Sequence, residues 1–195
     1  LPIKKNTQNI LVAGEHADNI GYQCGGWSIW WQGGSGKITK GTSILDGIKS
    51  HTGKNINLNY SKSGDVYKNT DLIIVAIGEK PYAEMNGDRE SLDLSKNDIE
   101  LVNKLSKSGK PIVMVLISGR PMILEPILNK CDAILAAWLP GSEGAGISDI
   151  LFGDYSPTAK LSFSWPKNMK QIPINFGDTN YDPLYRFGHG LTFKD

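Results

Sequence analysis

Cysteine, histidine and arginine are scarce in this chain, and each shortage excludes something. Two cysteines, Cys24 and Cys131, cannot make a disulfide framework or a zinc pattern. The three histidines, His16, His51 and His189, lie far apart and form no metal-ligating motif. Neither sign of charge dominates. Lys and Arg number 21 against 20 Asp and Glu, with no basic run and no alternation of basic and aromatic residues, which argues against a nucleic-acid partner. No apolar run approaches the roughly 18 residues that a membrane helix requires. No leader segment is visible either, and the opening Leu1-Pro2-Ile3, without Met, reads as the start of a fragment.

What is present is the length of one domain, 195 residues, and an alternation of strand-like and helix-like segments. Apolar, β-branched runs at 9–14, 55–60, 72–77, 111–117, 133–137 and 160–164 read as six strands. Helical spacing falls at 42–50, at 95–105 behind a Ser95/Asp98 capping box, and at 142–152. The expected fold is α/β: a mainly parallel six-stranded sheet with helices on both faces, one domain over residues 1–195. The Pro-, Gly- and Asn-rich tail at 171–195 is expected to pack as an extended arm.

The unusual segments all follow strands: 14–19, 78–88, 118–121 and 138–144. In a parallel sheet those loops emerge at one edge, where open α/β sheets bind ligands. The acidic loop Gly78-Glu79-Lys80-Pro81-Tyr82-Ala83-Glu84-Met85-Asn86-Gly87-Asp88 puts three carboxylates beside an aromatic ring at the end of a core strand. It reads either as a solvated acidic surface or as the seat of a general acid, whose pKa apolar walls would raise toward neutrality. The loop Cys24-Gly25-Gly26-Trp27-Ser28-Ile29-Trp30-Trp31-Gln32-Gly33 holds three of the five tryptophans. So many indoles among glycines are hard to bury as core, and a flat indole suits the apolar face of a sugar ring. Trp138 and Trp165, lying singly, read as packing residues. Arg120 reads as half of a structural ion pair with a carboxylate at the same edge. His16 has no Ser or Cys in a nucleophile context and reads as a structural, hydrogen-bonded residue.

A phosphate-loop reading of Gly33-Gly34-Ser35-Gly36-Lys37 fails. No Gly stands five residues before Gly36, Ile38 occupies the Ser/Thr place, and no strand directly precedes it. At 141–146, Glu143 would repel a phosphate.

Taken together, these motifs resemble the second, α/β-sandwich domain of glycoside hydrolase family 3, the β-glucosidase and exo-β-glucanase family. The marks are Ile10-Leu11-Val12-Ala13-Gly14 through Ala17-Asp18-Asn19, then Gly21-Tyr22-Gln23-Cys24-Gly25-Gly26-Trp27. They continue in the acidic loop, Ser118-Gly119-Arg120-Pro121, Ala137-Trp138-Leu139-Pro140-Gly141-Ser142-Glu143-Gly144, and the closing Tyr181-Asp182-Pro183-Leu184-Tyr185-Arg186-Phe187-Gly188-His189-Gly190-Leu191. The resemblance implies a retaining hydrolysis of terminal β-D-glucosyl residues by two carboxyl groups. It implies Glu84 as the acid/base and Trp27 as one side of an aromatic clamp on the substrate. Glu79 and Asp88 are expected to shape the loop, Asp88 by capping or by bonding backbone N–H groups, with Arg120 in support. The Asp nucleophile belongs to a (β/α)8 barrel that precedes this domain in the family and has no counterpart in these residues. Leu1-Pro2-Ile3 matches the point where the family's linker enters, so a separately produced, cleaved or separately encoded second domain is expected. The expected partners are a β-glucoside or β-glucan oligosaccharide and that barrel. Without the barrel, Trp27 is expected on an exposed, mobile loop. No cofactor and no metal are expected. The resemblance favours a secreted or periplasmic protein. Two rival readings are a stand-alone carbohydrate-binding or structural domain without catalysis, and a nucleotide-binding doubly wound protein, which the missing phosphate motif disfavours.

Overall fold

The structure is a computed structural model and describes residues 1–54 and 56–194. Five strands form one sheet: β1 (Asn9–Ala13), β2 (Asn57–Ser61), β3 (Leu72–Gly78), β4 (Ile112–Ile117) and β5 (Ala133–Trp138). Their order is β2-β1-β3-β4-β5 and every pairing is parallel. Among the described residues four α-helices accompany the sheet, with short 3-10 turns between: α1 (Ile20–Cys24), α2 (Ile44–Thr52), α3 (Lys96–Ser106) and α4 (Gly144–Phe152).

The sheet is covered on both faces, which is why its strands are continuous apolar runs. Ile10, Val12, Ile74, Ala76, Val113 and Val115 face α2 and α4, packing on Ile44, Leu45, Ile48, Ile147 and Leu151. The alternate residues Leu11, Ile73, Val75, Met114 and Leu116 face α3 through Val102 and Leu105, and the C-terminal region through Trp165. Helix starts follow local chemistry. The Ser43 hydroxyl accepts from the Asp46 N–H at α2, and the Ser95 hydroxyl accepts from the Asp98 N–H at α3 while donating to the Asp98 carboxylate. The buried indole of Trp165 donates to the Met122 carbonyl at 2.8 Å, as a packing tryptophan should.

The sheet has five strands, not six. The expected strand at 160–164 is an irregular segment off the sheet, bent at Ser162 and Phe163. Leu161 and Phe163 pack against the core, which accounts for the alternating pattern. The backbone groups pair instead with the C-terminal region: Leu161 N–H with the His189 carbonyl, Gly188 N–H with the Leu161 carbonyl, and Trp165 with Tyr185 as an antiparallel bridge. The tail thus satisfies groups that a strand would have given to a sheet neighbour. Between the short turn Met169–Gln171 and residue 194 there is no helix or strand among the described residues. Asn55 of the expected second strand and Asp195 at the end of the expected arm lie outside the described residues.

This order contains one reversal. From β1 the chain goes to β2 on one side, then returns to β3 on the other. Loops leaving β1 and β3 therefore diverge from adjacent strand ends, the crevice where doubly wound sheets bind ligands. The Trp-rich loop leaves β1 and the acidic loop leaves β3.

Candidate active site

Gly78 ends β3 with a φ of +150°, and a Cβ there would lie 1.8 Å from the Ile117 carbonyl oxygen. No other residue fits that close approach to β4. Glu79 follows, its side chain only 6% exposed. Its Oε1 accepts from Arg120 Nε at 3.0 Å, Arg120 Nη2 at 2.9 Å and Arg89 Nη1 at 3.2 Å, while Oε2 accepts from the Tyr82 hydroxyl at 3.2 Å. Arg120 also donates through Nη1 to the Gly87 carbonyl at 2.7 Å, and its guanidinium lies 4.4 Å from the centre of the Tyr82 ring. One guanidinium thus grips both ends of the loop and stacks on its middle. Burial and the Glu79 charge push the Tyr82 phenol above its usual range, against the opposing charge of Arg120.

Glu84 is placed differently. It opens a short 3-10 turn (Glu84–Gly87) with a φ of +48°, the left-handed region that side chains with a Cβ seldom adopt. It is exposed, and among the described residues its carboxylate has no hydrogen-bond or ion-pair partner. Asp88 is also exposed. Its N–H donates to the Met85 carbonyl, but its carboxylate has no such partner among the described residues, so the expected bonds from that side chain to backbone N–H groups are not made.

The Trp-rich loop lies against this segment. A Cβ on Gly26 would sit 2.0 Å from the Tyr82 carbonyl oxygen and 3.2 Å from the Ala83 Cβ. The next residue, Trp27, is 69% exposed with a φ of +58°. Trp30 and Trp31 are exposed beside it, and the Trp27 and Trp31 ring centres are 6.4 Å apart. Three amide side chains tether this loop. Asn19 accepts from the N–H groups of Tyr22 and Gly36 and donates to Ser35. Gln23, fully buried, donates to the carbonyls of Thr42 and Gly141 and accepts from the Ile44 N–H. Gln32 bonds both backbone groups of Ala83. The partners of these amides lie up to 118 residues away and are not legible locally.

His16 is buried under the same edge. Its Nε2–H donates to the Glu79 carbonyl at 3.1 Å, since a carbonyl can only accept. Burial holds the imidazole below its usual range and the nearby Asp98 carboxyl above its own. This is the structural histidine that the sequence indicates. In the segment 33–37, the Gly33 and Gly36 N–H groups are bonded within the protein and so are not free to cradle phosphate.

Two features lie away from this edge. His51, Asp149 and Asp154 bring ligand atoms within 4.8 Å of one another at the C-terminal ends of α2 and α4. They are exposed, and His51 Nδ1 pairs with Asp154 at 3.2 Å. A cleft of about 300 Å³ is lined by Asn9, Asn57, Asn59 and residues 67–70, at the start of β1 and β2 rather than at the Glu84 edge.

An exposed carboxylate beside a saturated one, with indoles mounted against the same loop at a sheet switch point, is an arrangement suited to acid/base work on a ligand with flat apolar faces. Known proteins share the whole framework. Residues 1–193 match the profile of the glycosyl hydrolase family 3 C-terminal domain. The lysosomal beta glucosidase of Dictyostelium discoideum is 34% identical over an alignment covering 99% of this chain and 27% of that protein. A beta-xylosidase of Formosa agariphila is 32% identical over 77% of this chain and 25% of its own length. A solved mutant of the exo-1,3/1,4-beta-glucanase of a Pseudoalteromonas species superposes with a TM-score of 0.94 at 43% identity, covering 100% of this chain and 33% of that one. The chain therefore spans about a quarter to a third of the length of these relatives. It belongs to the glycosyl hydrolase family 3 C-terminal domain family.

Proposed function

We propose that this chain is the acid/base-bearing domain of a retaining, exo-acting β-glucosidase or β-glucanase that removes terminal β-D-glucosyl residues. The single observation that carries the reading is the contrast between the two glutamates of one loop. Glu79 is buried and accepts four hydrogen bonds, so its work is structural. Glu84 is exposed beside the tryptophan loop with its carboxylate uncommitted. The names of the relatives, β-glucosidase and exo-1,3/1,4-β-glucanase, agree with glucoside chemistry.

In this reading Glu84 protonates the glycosidic oxygen as an Asp on a partner (β/α)8 barrel attacks the anomeric carbon. The carbon–oxygen bond breaks and the alcohol leaves. Glu84, now a carboxylate, takes a proton from water, whose oxygen displaces the Asp and restores both groups. Retention requires the two carboxyl groups about 5–5.5 Å apart, so the barrel must close over the Glu84 edge. Trp27 stacks on the sugar beyond the scissile bond.

The test sets this chain in place of the matching third of the Pseudoalteromonas glucanase. The chimaera is expected to release glucose from β-glucan oligosaccharides, and the chain alone is expected to turn over no aryl β-glucoside. Turnover by the chain alone that vanishes on changing Glu84 would contradict the reading. A chimaera that binds oligosaccharide without hydrolysing it would favour a carbohydrate-binding domain instead.

A further inference from the structure

We propose that Gln32 is a positioning residue for the acid/base step, its amide fixing Ala83 and thereby the direction of Glu84. The inference rests on the assignment of Glu84 as acid/base.

Gln32 Nε2 donates to the Ala83 carbonyl at 3.1 Å, and Gln32 Oε1 accepts from the Ala83 N–H at 2.9 Å. Ala83 is extended, with φ −139° and ψ 144°. An extended residue turns its own N–H and C=O to the same side, and a primary amide matches that pair as a neighbouring strand would. Both polar backbone groups of the residue before Glu84 are thus held by one side chain 51 residues away. Ala83 is buried, so without Gln32 these groups would be poorly placed to find water.

Glu84, the next residue in the chain, gives the clamp its purpose. It holds a φ of +48°, which a residue with a Cβ keeps only when its surroundings impose it. With Ala83 fixed behind it and Arg120 on the Gly87 carbonyl ahead of it, the turn is held at both ends. Gln32 also sits on the loop that carries Trp27, which Asn19 and Gln23 anchor independently. The amide therefore fixes the acid relative to the sugar-stacking face. A glycosidic oxygen lying against that face meets the carboxyl at a set distance, and an ångström of error there is costly in rate.

The experiment uses the chimaera described above, with cellobiose as the poor-leaving-group substrate and dinitrophenyl β-glucoside as the activated one. Gln32→Met keeps the length and removes both bonds. It is expected to lower kcat on cellobiose by on the order of 10- to 100-fold, while kcat/KM on the activated glucoside changes less than about threefold. Azide is expected to accelerate its turnover of the activated glucoside, attacking the glycosyl-enzyme without base help to give glucosyl azide as the enzyme carboxylate leaves.

Gln32→Glu supplies a readout that general loosening does not move. Ionised, it sets a carboxylate against the Ala83 carbonyl; protonated, it donates and accepts as the amide does. The ratio of Gln32→Glu to Gln32→Met rates on cellobiose is expected to rise as pH falls from about 7 to about 5. A flat ratio, equal losses on both substrates, or an unchanged cellobiose rate in Gln32→Met would overturn the inference. Glu84→Ala, run in parallel, separates the two claims. Azide rescue there sustains Glu84 whatever Gln32 does, and absence of rescue removes the assignment on which the Gln32 inference stands.

Discussion

Gly26 faces the Tyr82–Ala83 peptide across two loops, a Cβ placed on it falling 3.2 Å from that of Ala83, and Gly26 and Ala83 each immediately precede a residue of the proposed site, Trp27 and Glu84. A methyl group added at Gly26 would fall 2.0 Å from the Tyr82 carbonyl oxygen, a backbone atom that cannot turn aside. Gly26→Ala is therefore expected to destabilise the fold by about 1–3 kcal/mol through overpacking, and to part the two loops. Denaturant unfolding measures the first effect; wild-type stability in Gly26→Ala would show that the loops are not packed as described.

The Glu79–Arg120 pair is largely buried, with side-chain exposures of 6% and 23%. Arg120→Ala would leave the Glu79 carboxylate without two of its donors, and a loss of about 3–5 kcal/mol is expected for breaking such a pair. Arg120→Lys should recover only part of it, because a point charge cannot bond Glu79 and the Gly87 carbonyl together while stacking on Tyr82. Thermal unfolding of both variants checks this order.

Burial holds His16 below its usual range, opposed by its bond to the Glu79 carbonyl and the charges of Asp98 and Glu15. With the folded pKa below the unfolded value of about 6.5, the unfolded chain binds this proton more readily, so the contribution of His16 is present above about pH 6.5 and lost as pH falls through the folded pKa. Asp98, held above its usual range, acts with the opposite sign: its contribution is present below about pH 4 and lost as pH rises through its folded value. A single variant is needed to separate them. The stability difference between wild type and His16→Gln should shrink as pH falls from about 7 to about 5, by no more than about 1.4 kcal/mol per pH unit. A constant difference would show that His16 does not titrate differently on folding.

Trp27 is exposed and makes its ring contact with Trp31, itself on the surface. Trp27→Ala is expected to change stability by less than about 0.5 kcal/mol while weakening oligosaccharide binding in the assembled protein. Denaturant melts and affinity titrations, run on the same variant, check both halves; a large loss of stability would make Trp27 a packing residue.

Five strands, three longer helices and the common edge of the unusual loops were legible because buried parallel strands and capped amphipathic helices write local, periodic patterns. The segment 160–164 misled for the same reason. Leu161 and Phe163 alternate as a strand does, but where the N–H groups go is decided by residues 185–189, which no local pattern indicates. At the site, Glu84 and Trp27 were marked by residue type and family resemblance, and Glu79 and Arg120 by charge at one sheet edge. Gln32 was not marked, because an amide side chain acquires meaning only from a partner and Ala83 carries no signal of its own. Asp88 was over-read: an acid at the end of a turn is a frequent backbone acceptor, but here the turn closes through backbone groups alone.

The most direct measurement compares Glu84→Ala and Glu79→Ala in the assembled protein, with azide and dinitrophenyl β-glucoside, following glucosyl azide as product. Glu84→Ala should nearly abolish cellobiose hydrolysis, retain attack on the activated glucoside, and form β-glucosyl azide at a rate that rises with azide concentration. Glu79→Ala should lose stability and both activities together, with no azide product beyond that of wild type. Azide rescue in Glu79→Ala and none in Glu84→Ala would exchange the roles of the two carboxylates and contradict the account.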